Sequence, residues 1–435
     1  MKKSIMLAMT LAVVSNSAFA TKARLLALGM NETDNEGSYY IDDNRNIFLN
    51  AGNIINHSNQ AIFEWGDAGF NSGTQAGTTN TGNTTDQDYA PQAEGGFLKT
   101  SGNYTYGAYF GAESNTSSLL RVVASSPLAV NGTVVGTASI LDSSDNQLDL
   151  FFGMKMGKIG LGADLVYVKN DSDTKKQEDS AMALKVGAVA SNWDAFVNLS
   201  LDSSSKQTIA NGGHAAAGDL THEFDGKFGI HLGGGYKIGN GKLYANLKTF
   251  SWDQKDNLAD QIQAGRKTSV EGSFTSYAVG FARTHEVSAT SRVYTAVEYR
   301  MKTIEADFGV ATGTATAGKT EAENSWIPVT FGYEAEATSW LTLRGSVSSN
   351  VMGSKDNKNY GNLNAVAQGF ATAEFGAQGK SSLANSTDVR AGATLNFGKL
   401  LVDGVIGAGT AVGSPKTGVL KLDDMMTRVG VTYHF

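Results

Sequence analysis

From about residue 95 onward, apolar residues fall on every second position in one short stretch after another. "QLDLFFGMKMG" sets Leu148, Leu150, Phe152, Met154 and Met156 against Asp149, Phe151, Gly153 and Lys155. "KIGLGADLVYV" follows at once, with Ile159, Leu161, Ala163, Leu165 and Tyr167 in alternation. "WDAFVNLSLD", "KFGIHLGGGYKI" and "RVYTAVEYRMK" repeat the pattern. Period two marks a strand with one apolar face. The other face is mostly Gly, Ser, Thr and charge.

The links between these strands alternate in length. Short ones fall at 101–104, 157–158, 191–193, 239–242, 289–292, 337–340 and 398–399. Long polar stretches lie between them, at 66–94, 170–180, 203–223, 253–275, 305–325, 351–388 and 410–425. A sheet sandwich has no reason to sort its loops this way. A membrane barrel does, because one rim carries tight turns and the other long external loops. The fold class expected is all-β: a transmembrane antiparallel barrel of about 16 strands, 14 being the alternative count. "NQAIFEWG" is the candidate for the first strand. Aromatics on the apolar parity fit two interfacial girdles: Trp193, Tyr236, Phe397, Tyr433 and Phe435 near the turns, Tyr167, Tyr277 and Tyr299 toward the loops.

The two ends of the chain agree with this. "TRVGVTYHF" carries the alternation to the last residue, with Val429, Val431, Tyr433 and Phe435 on one parity. It resembles the assembly signal of Gram-negative outer-membrane β-barrels, which implies recognition by the barrel-assembly machinery and a setting in outer-membrane lipid and lipopolysaccharide. "MKKSIMLAMTLAVVSNSAFA" has two lysines, an apolar run and the small residues Ala18 and Ala20 at an A-x-A cleavage site. That is the pattern of a secretory signal peptide. The expected organisation is a signal peptide at 1–20, an N-terminal arm or plug at 21–56 and the barrel at 57–435.

Composition narrows the function. The chain has 51 Gly, 4 Pro and no Cys, so neither a disulfide framework nor a lipid-bearing cysteine is available. A net charge of −7 argues against a nucleic-acid partner. Six histidines, His57, His214, His222, His231, His285 and His434, show no catalytic or metal-ligand spacing. The stretch "GGGYKIGNGK" lacks the G-K-[ST] ending of a phosphate loop and joins two strands. No enzyme activity, cofactor or metal site is expected.

The parity opposite the apolar one faces the lumen. Its charged members are the pore-lining candidates: Asp149, Lys155, Asp164, Lys185, Asp194, Lys227, Lys237, Glu298, Arg300, Lys302, Glu334, Arg344, Arg390 and Arg428, with Asp202, Glu336 and Asp403 on the same parity. Both signs are present, which points to a wet interior with little ion preference. The stretch 351–388, with Phe370 and Phe375, is long enough to fold inward as a constriction loop does in general porins. The first expectation is therefore a porin-like channel for passive diffusion of small hydrophilic solutes and ions, with the question of a homotrimer left open.

A second expectation comes from "DDNRNIFLNAGNI". It resembles the N-terminal hatch motif of the FadL family of hydrophobic-compound transporters. Asp42, Asp43, Asn46 and Asn50 match, and Ala51-Gly52 stand where that motif has Pro-Ala. The resemblance implies a hatch, fourteen strands and an apolar binding pocket.

Overall fold

The computed structural model describes residues 21–30, 36–57, 59–66, 93–112, 147–172, 176–209, 220–256, 269–307, 319–359, 378–384, 387–409 and 425–435. Eighteen strand segments form one sheet, and two pairs of segments are halves of a single interrupted strand, which leaves a closed barrel of 16. We number them β1 (Gln60–Gly66), β2 (Ala93–Ser101), β3 (Tyr104–Phe110), β4 (Gln147–Met156), β5 (Ile159–Ser172), β6 (Gln177–Val189) and β7 (Trp193–Ile209). Next come β8 (Leu220–Gly226 with Gly229–Ile238), β9 (Gly241–Asp256), β10 (Ser269–Ser288), β11 (Ser291–Asp307) and β12 (Lys319–Thr338). The last are β13 (Leu341–Lys358), β14 (Gly379–Ser382 with Thr387–Asn396), β15 (Leu400–Gly409) and β16 (Met425–His434).

Closure is made between the two ends of the chain. β1 pairs antiparallel with β16 from Gln60↔His434 to Gly66↔Arg428, and with β2 on its other side. Among the described residues the sheet thus closes on itself, which matters because each unpaired backbone group facing lipid would cost several kcal/mol. The short links are the seven expected, and at Gly102, Gly157 and Gly239 the backbone has φ near +60°. A Cβ there would meet nothing, so glycine is needed for conformation rather than space.

The surface is inverted relative to a water-soluble protein. Phe63, Phe152, Leu165, Val197, Leu243, Phe281, Phe331 and Val389 are exposed, while Asp149, Asp164, Arg344 and Asp403 are almost wholly buried. An apolar belt of this kind needs lipid around it. The belt lies nearest the tight turns. Farther up, the outer wall carries ion pairs instead, such as Lys319–Glu305 and Lys358–Glu321 at 2.6 and 2.9 Å.

Several strands run past their expected ends. β7 continues through Ser203, Ser204 and Ser205 to Ile209, and β5 and β6 reach Ser172 and Gln177, so 170–180 is not a long loop. Above the membrane the outer face meets water, so alternation no longer marks a strand. The signal segment, the bulk of 66–94 and the stretch containing Phe370 and Phe375 lie outside the described residues.

Two local irregularities correct the lumen parity. Between β6 and β7 the register passes from Met182↔Asp202 to Ala183↔Ser200, leaving Leu201 as an extra residue. β8 is interrupted at Lys227 and Phe228 beside it. Inward residues are Phe196 and Asn198 before the bulge, but Ser203 and Ser205 after it. Asp202 and Lys227 are therefore not part of the inner wall. Lys227 instead pairs with Asp225 and Asp253 at 3.3 and 2.6 Å.

Candidate functional site

Residues 21–30 and 36–57 lie inside the barrel. Helix α1 (Lys22–Ala27) is buried along its whole length, and α2 (Asn46–Leu49) leads into a 3₁₀ turn at Ala51–Asn56. The apolar side chains of this segment have partners on the inner wall. Ile47, Phe48 and Ile54 pack with Ile62, Leu98, Tyr109 and Phe151. Leu25, Leu28 and Ile41 pack with Tyr294, and Ala23, Leu26 and Ala27 with Val405.

Glycines on the inner parity let the segment come this close. A Cβ on Gly162 would strike the Ala51 carbonyl, one on Gly187 the Asn50 side chain, and one on Gly430 the Thr21 side chain. Gly153, Gly160 and Gly392 face Ile54, Ile55 and Ala27 in the same way. The glycine-rich parity is thus a bed for a second layer of chain.

The residues of the hatch-like motif hold the segment's own shape. Asp43 accepts from the Arg45 amide at 2.9 Å and pairs with Arg24 at 3.0 Å. Asn46 accepts from the Ser38 amide and donates to the Ile41 carbonyl. Asn50 caps the 3₁₀ turn by accepting from the Gly52 amide, while its amide nitrogen donates to the wall carbonyls of Ala188 and Ala195. Gly52 leaves room where the Gly187 backbone passes 2.9 Å from the position a Cβ would take.

The sequence-expected lumen charges fall into groups. Glu334 receives Arg24 of α1 at 2.8 Å and Arg344 of the wall, and Arg344 also meets Asp403 at 3.2 Å. Arg390 donates to the carbonyls of Leu26 and Met30. Lys185 lies 3.7 Å from Asp149 and 3.2 Å from Asp164. Asp194 pairs with Lys242, and Glu298 with Arg300. Lys302 stands over the Trp326 ring. Arg428 shares a small pocket with Lys22, Glu64 and Glu94. Lys155, Lys237 and Glu336 line a polar vestibule of about 1060 Å³ at the tight-turn end. Glu334 and Arg390 therefore engage the inner segment, whereas Lys185, Asp194, Glu298 and Arg300 pair within the wall.

Sequence reasoning missed the seam cluster. Arg45 pairs with Glu64 at 2.9 Å and Glu94 at 3.5 Å, Lys22 pairs with Glu94, and Tyr109 donates to Glu64 at 3.2 Å. The available signal was the inward parity of β1, where Ile62 and Glu64 alternate with Phe63 and Trp65. On the inner segment, burial lowers the Lys22 ammonium to about 8 and His57 to about 4. Burial raises Asp43 to about 6 against the opposing pull of Arg24.

Between the inner segment and strands β5–β9 lies a cavity of about 100 Å³. Val166, Val168, Leu199, Phe224 and Phe250 make it apolar, and Glu36, Lys185, Asn198, His231 and Lys248 form a polar side. Among the described residues, no group of three or more acidic or histidine side chains could hold a metal ion.

No protein-family model matches the chain, and no curated protein matches it. Solved structures with a similar trace include a Pseudomonas aeruginosa FadL homologue, at 10% identity over 94% of this chain and 98% of that one, with a TM-score of 0.41. The CymD monoaromatic hydrocarbon channel is 9% identical over 97% and 98%, with a TM-score of 0.37. A porin is 12% identical over 86% and 99%, with a TM-score of 0.33. Likeness at this level says nothing about cargo. The chain forms a closed antiparallel β-barrel with residues 21–30 and 36–57 of its own N-terminal segment in the lumen. The 16 strands depart from the fourteen that the hatch resemblance implies.

Proposed function

We propose that the protein is an outer-membrane transporter in which residues 21–57 act as a hatch. The hatch closes the straight path through the barrel, and small molecules with apolar character pass by way of the cavity beside it. One observation carries this reading: the segment is bound to the wall on several sides by buried ion pairs and apolar contacts, leaving the apolar cavity between them. The break in β8 supports a route from the lipid side, because Gly226, Lys227 and Gly229 line that same cavity. Export by the leader at 1–20 and insertion through the C-terminal signal at Val429–Phe435 belong to the same reading.

Passive diffusion of hydrophilic solutes is the second reading, favoured by the polar vestibule. Single-channel conductance of the mature protein in planar bilayers separates the two. The hatch reading expects a nearly silent barrel that gives large, steady steps once 21–57 is deleted. Large steps from the intact chain would overturn it in favour of the diffusion channel.

A further inference from the structure

One register level of the inner wall runs unbroken across eight strands. From β6 to β13 the directly paired residues are Lys185, Asn198, His231, Lys248, Ser276, Lys302, Asn324 and Lys355. Neighbours in such a row stand about 4.5–5.5 Å apart at Cβ. Four are lysines, one is histidine and the rest are neutral. Mixed charge along the inward parity had suggested no ion preference, but a linear reading cannot see that register gathers the cations onto one level.

Acids meet this row at one end and in the middle. At one end, Asp149 and Asp164 hold Lys185. Arg300, adjoining the row, is paired with Glu298. In the middle, the acid comes from the hatch and not from the wall. Glu36 places one carboxylate oxygen 3.5 Å from His231 Nδ1 and the other 3.6 Å from Lys248 Nζ. A tight charge-assisted contact is about 2.8 Å. Glu36 therefore bridges the His231 imidazole and the Lys248 ammonium without closing on either.

A second observation points into the same space. Asn198 is nine-tenths buried beside His231, and its amide nitrogen donates to the Leu49 carbonyl of the hatch. Its side-chain oxygen has no hydrogen-bond partner. The cavity side thus offers one ammonium, one imidazole and one unused acceptor next to the apolar surface of Val166, Leu199, Phe224 and Phe250. That set suits an apolar molecule with one carboxylate and, where present, a hydroxyl to satisfy Asn198.

We propose that this row is a binding site for small organic anions, and that Glu36 occupies its anion subsite until a ligand carboxylate takes its place. The proposal rests on reading 21–57 as a movable hatch. Ligand and hatch then compete for His231 and Lys248, so binding an anion removes one of the hatch's own anchors. Burial works to raise the Glu36 pKa, yet Lys248 and His231 hold it well below the ordinary carboxylate range. This is consistent with a carboxylate remaining charged there.

The test is calorimetric titration of the intact mature barrel at pH 7 with benzoate and its neutral counterpart benzamide. Glu36→Gln removes the internal competitor and should tighten benzoate roughly tenfold, about 1.4 kcal/mol, while leaving benzamide nearly unchanged. Lys248→Met should erase the preference for benzoate, and Lys302→Met, farther along the row, should reduce it. Should Lys248→Met fail to give a heat-modifiable barrel, Glu36→Gln and Lys302→Met decide the matter. Equal binding of benzoate and benzamide, or weaker benzoate binding in Glu36→Gln, would overturn the proposal. Proteoliposome uptake keeps the two readings apart. Uptake without anion preference sinks only the anion site, whereas anion binding without uptake sinks only the transport reading.

Discussion

Arg24 of the inner segment and Glu334 of β12 meet at 2.8 Å across 310 residues of sequence. Both are largely buried, and Arg24 also reaches Asp43 and the Asp42 carbonyl. Removing one member of an isolated buried pair costs about 3–5 kcal/mol, and the loss here should be smaller because Glu334 keeps Arg344, while Asp43 keeps only the Arg45 amide. That cost falls on docking of the segment, not on the strand ladder. Arg24→Ala should therefore raise single-channel conductance while the heat-modifiable barrel keeps its melting behaviour. Unchanged conductance would mean that the segment stays seated without this anchor.

Ala27 and Gly392 give a way to lock the segment. The Ala27 Cβ lies 2.5 Å from where a Cβ on Gly392 would stand. The chain has no cysteine of its own, so a pair at these positions would be the only one present. A disulfide tolerates Cβ separations of about 3.5–4.5 Å, which a small adjustment of α1 provides. In the Ala27→Cys, Gly392→Cys protein, solute uptake should be blocked when oxidised and restored by reductant. Equal uptake in both states would argue that passage does not require α1 to move.

The pH response of docking follows from two groups that act in opposite directions. Docked His57 sits at about 4, below its ordinary 6.5, because burial disfavours its charged form. Its contribution is complete above 6.5 and is lost as pH falls toward 4. Docked Asp43 sits at about 6, above its ordinary 3.8, again through burial. Its contribution is complete below 3.8 and is lost as pH rises through 6. Between pH 4 and 6 the two offset each other. Protease sensitivity of the segment should thus change little in the native chain. It should rise on acidification in Asp43→Asn and fall on acidification in His57→Gln. The same slope in both variants would contradict this assignment.

Much of the barrel was legible because lipid enforces alternation. Val279, Phe281, Val297 and Phe331 had to be apolar, and the tight turns between their strands punctuate the pattern. Above the belt that constraint ends, which is why Ser203–Ser205 looked like loop and the bulge at Leu201 went unseen. The inner segment was harder to place. Asp43, Asn46 and Asn50 showed in the motif, but Asp43 and Asn46 bond within the segment, and the wall carbonyls that receive Asn50 are marked by no sequence pattern. The misfits on the inner parity were the real clue. Phe151 beside Asp149, and the glycines at 153, 162 and 187, make little sense in a wet wall and good sense under a docked segment.

Phe435 separates assembly from stability. Its amide donates to the Asn59 carbonyl at 3.0 Å, and Lys99 lies over its ring at 5.0 Å, but the side chain is 46% exposed. The closing ladder itself runs from His434 down to Arg428 against β1. A polar replacement keeps the backbone bond and gives up only a half-exposed ring. Phe435→Ser should therefore refold into detergent with a yield close to the parent chain. In cells, if the terminal aromatic is what the assembly machinery reads, the amount of heat-modifiable barrel in the outer membrane should drop several-fold. Loss of refolding in detergent would shift the explanation to barrel stability, and normal levels in both settings would remove Phe435 from the assembly signal.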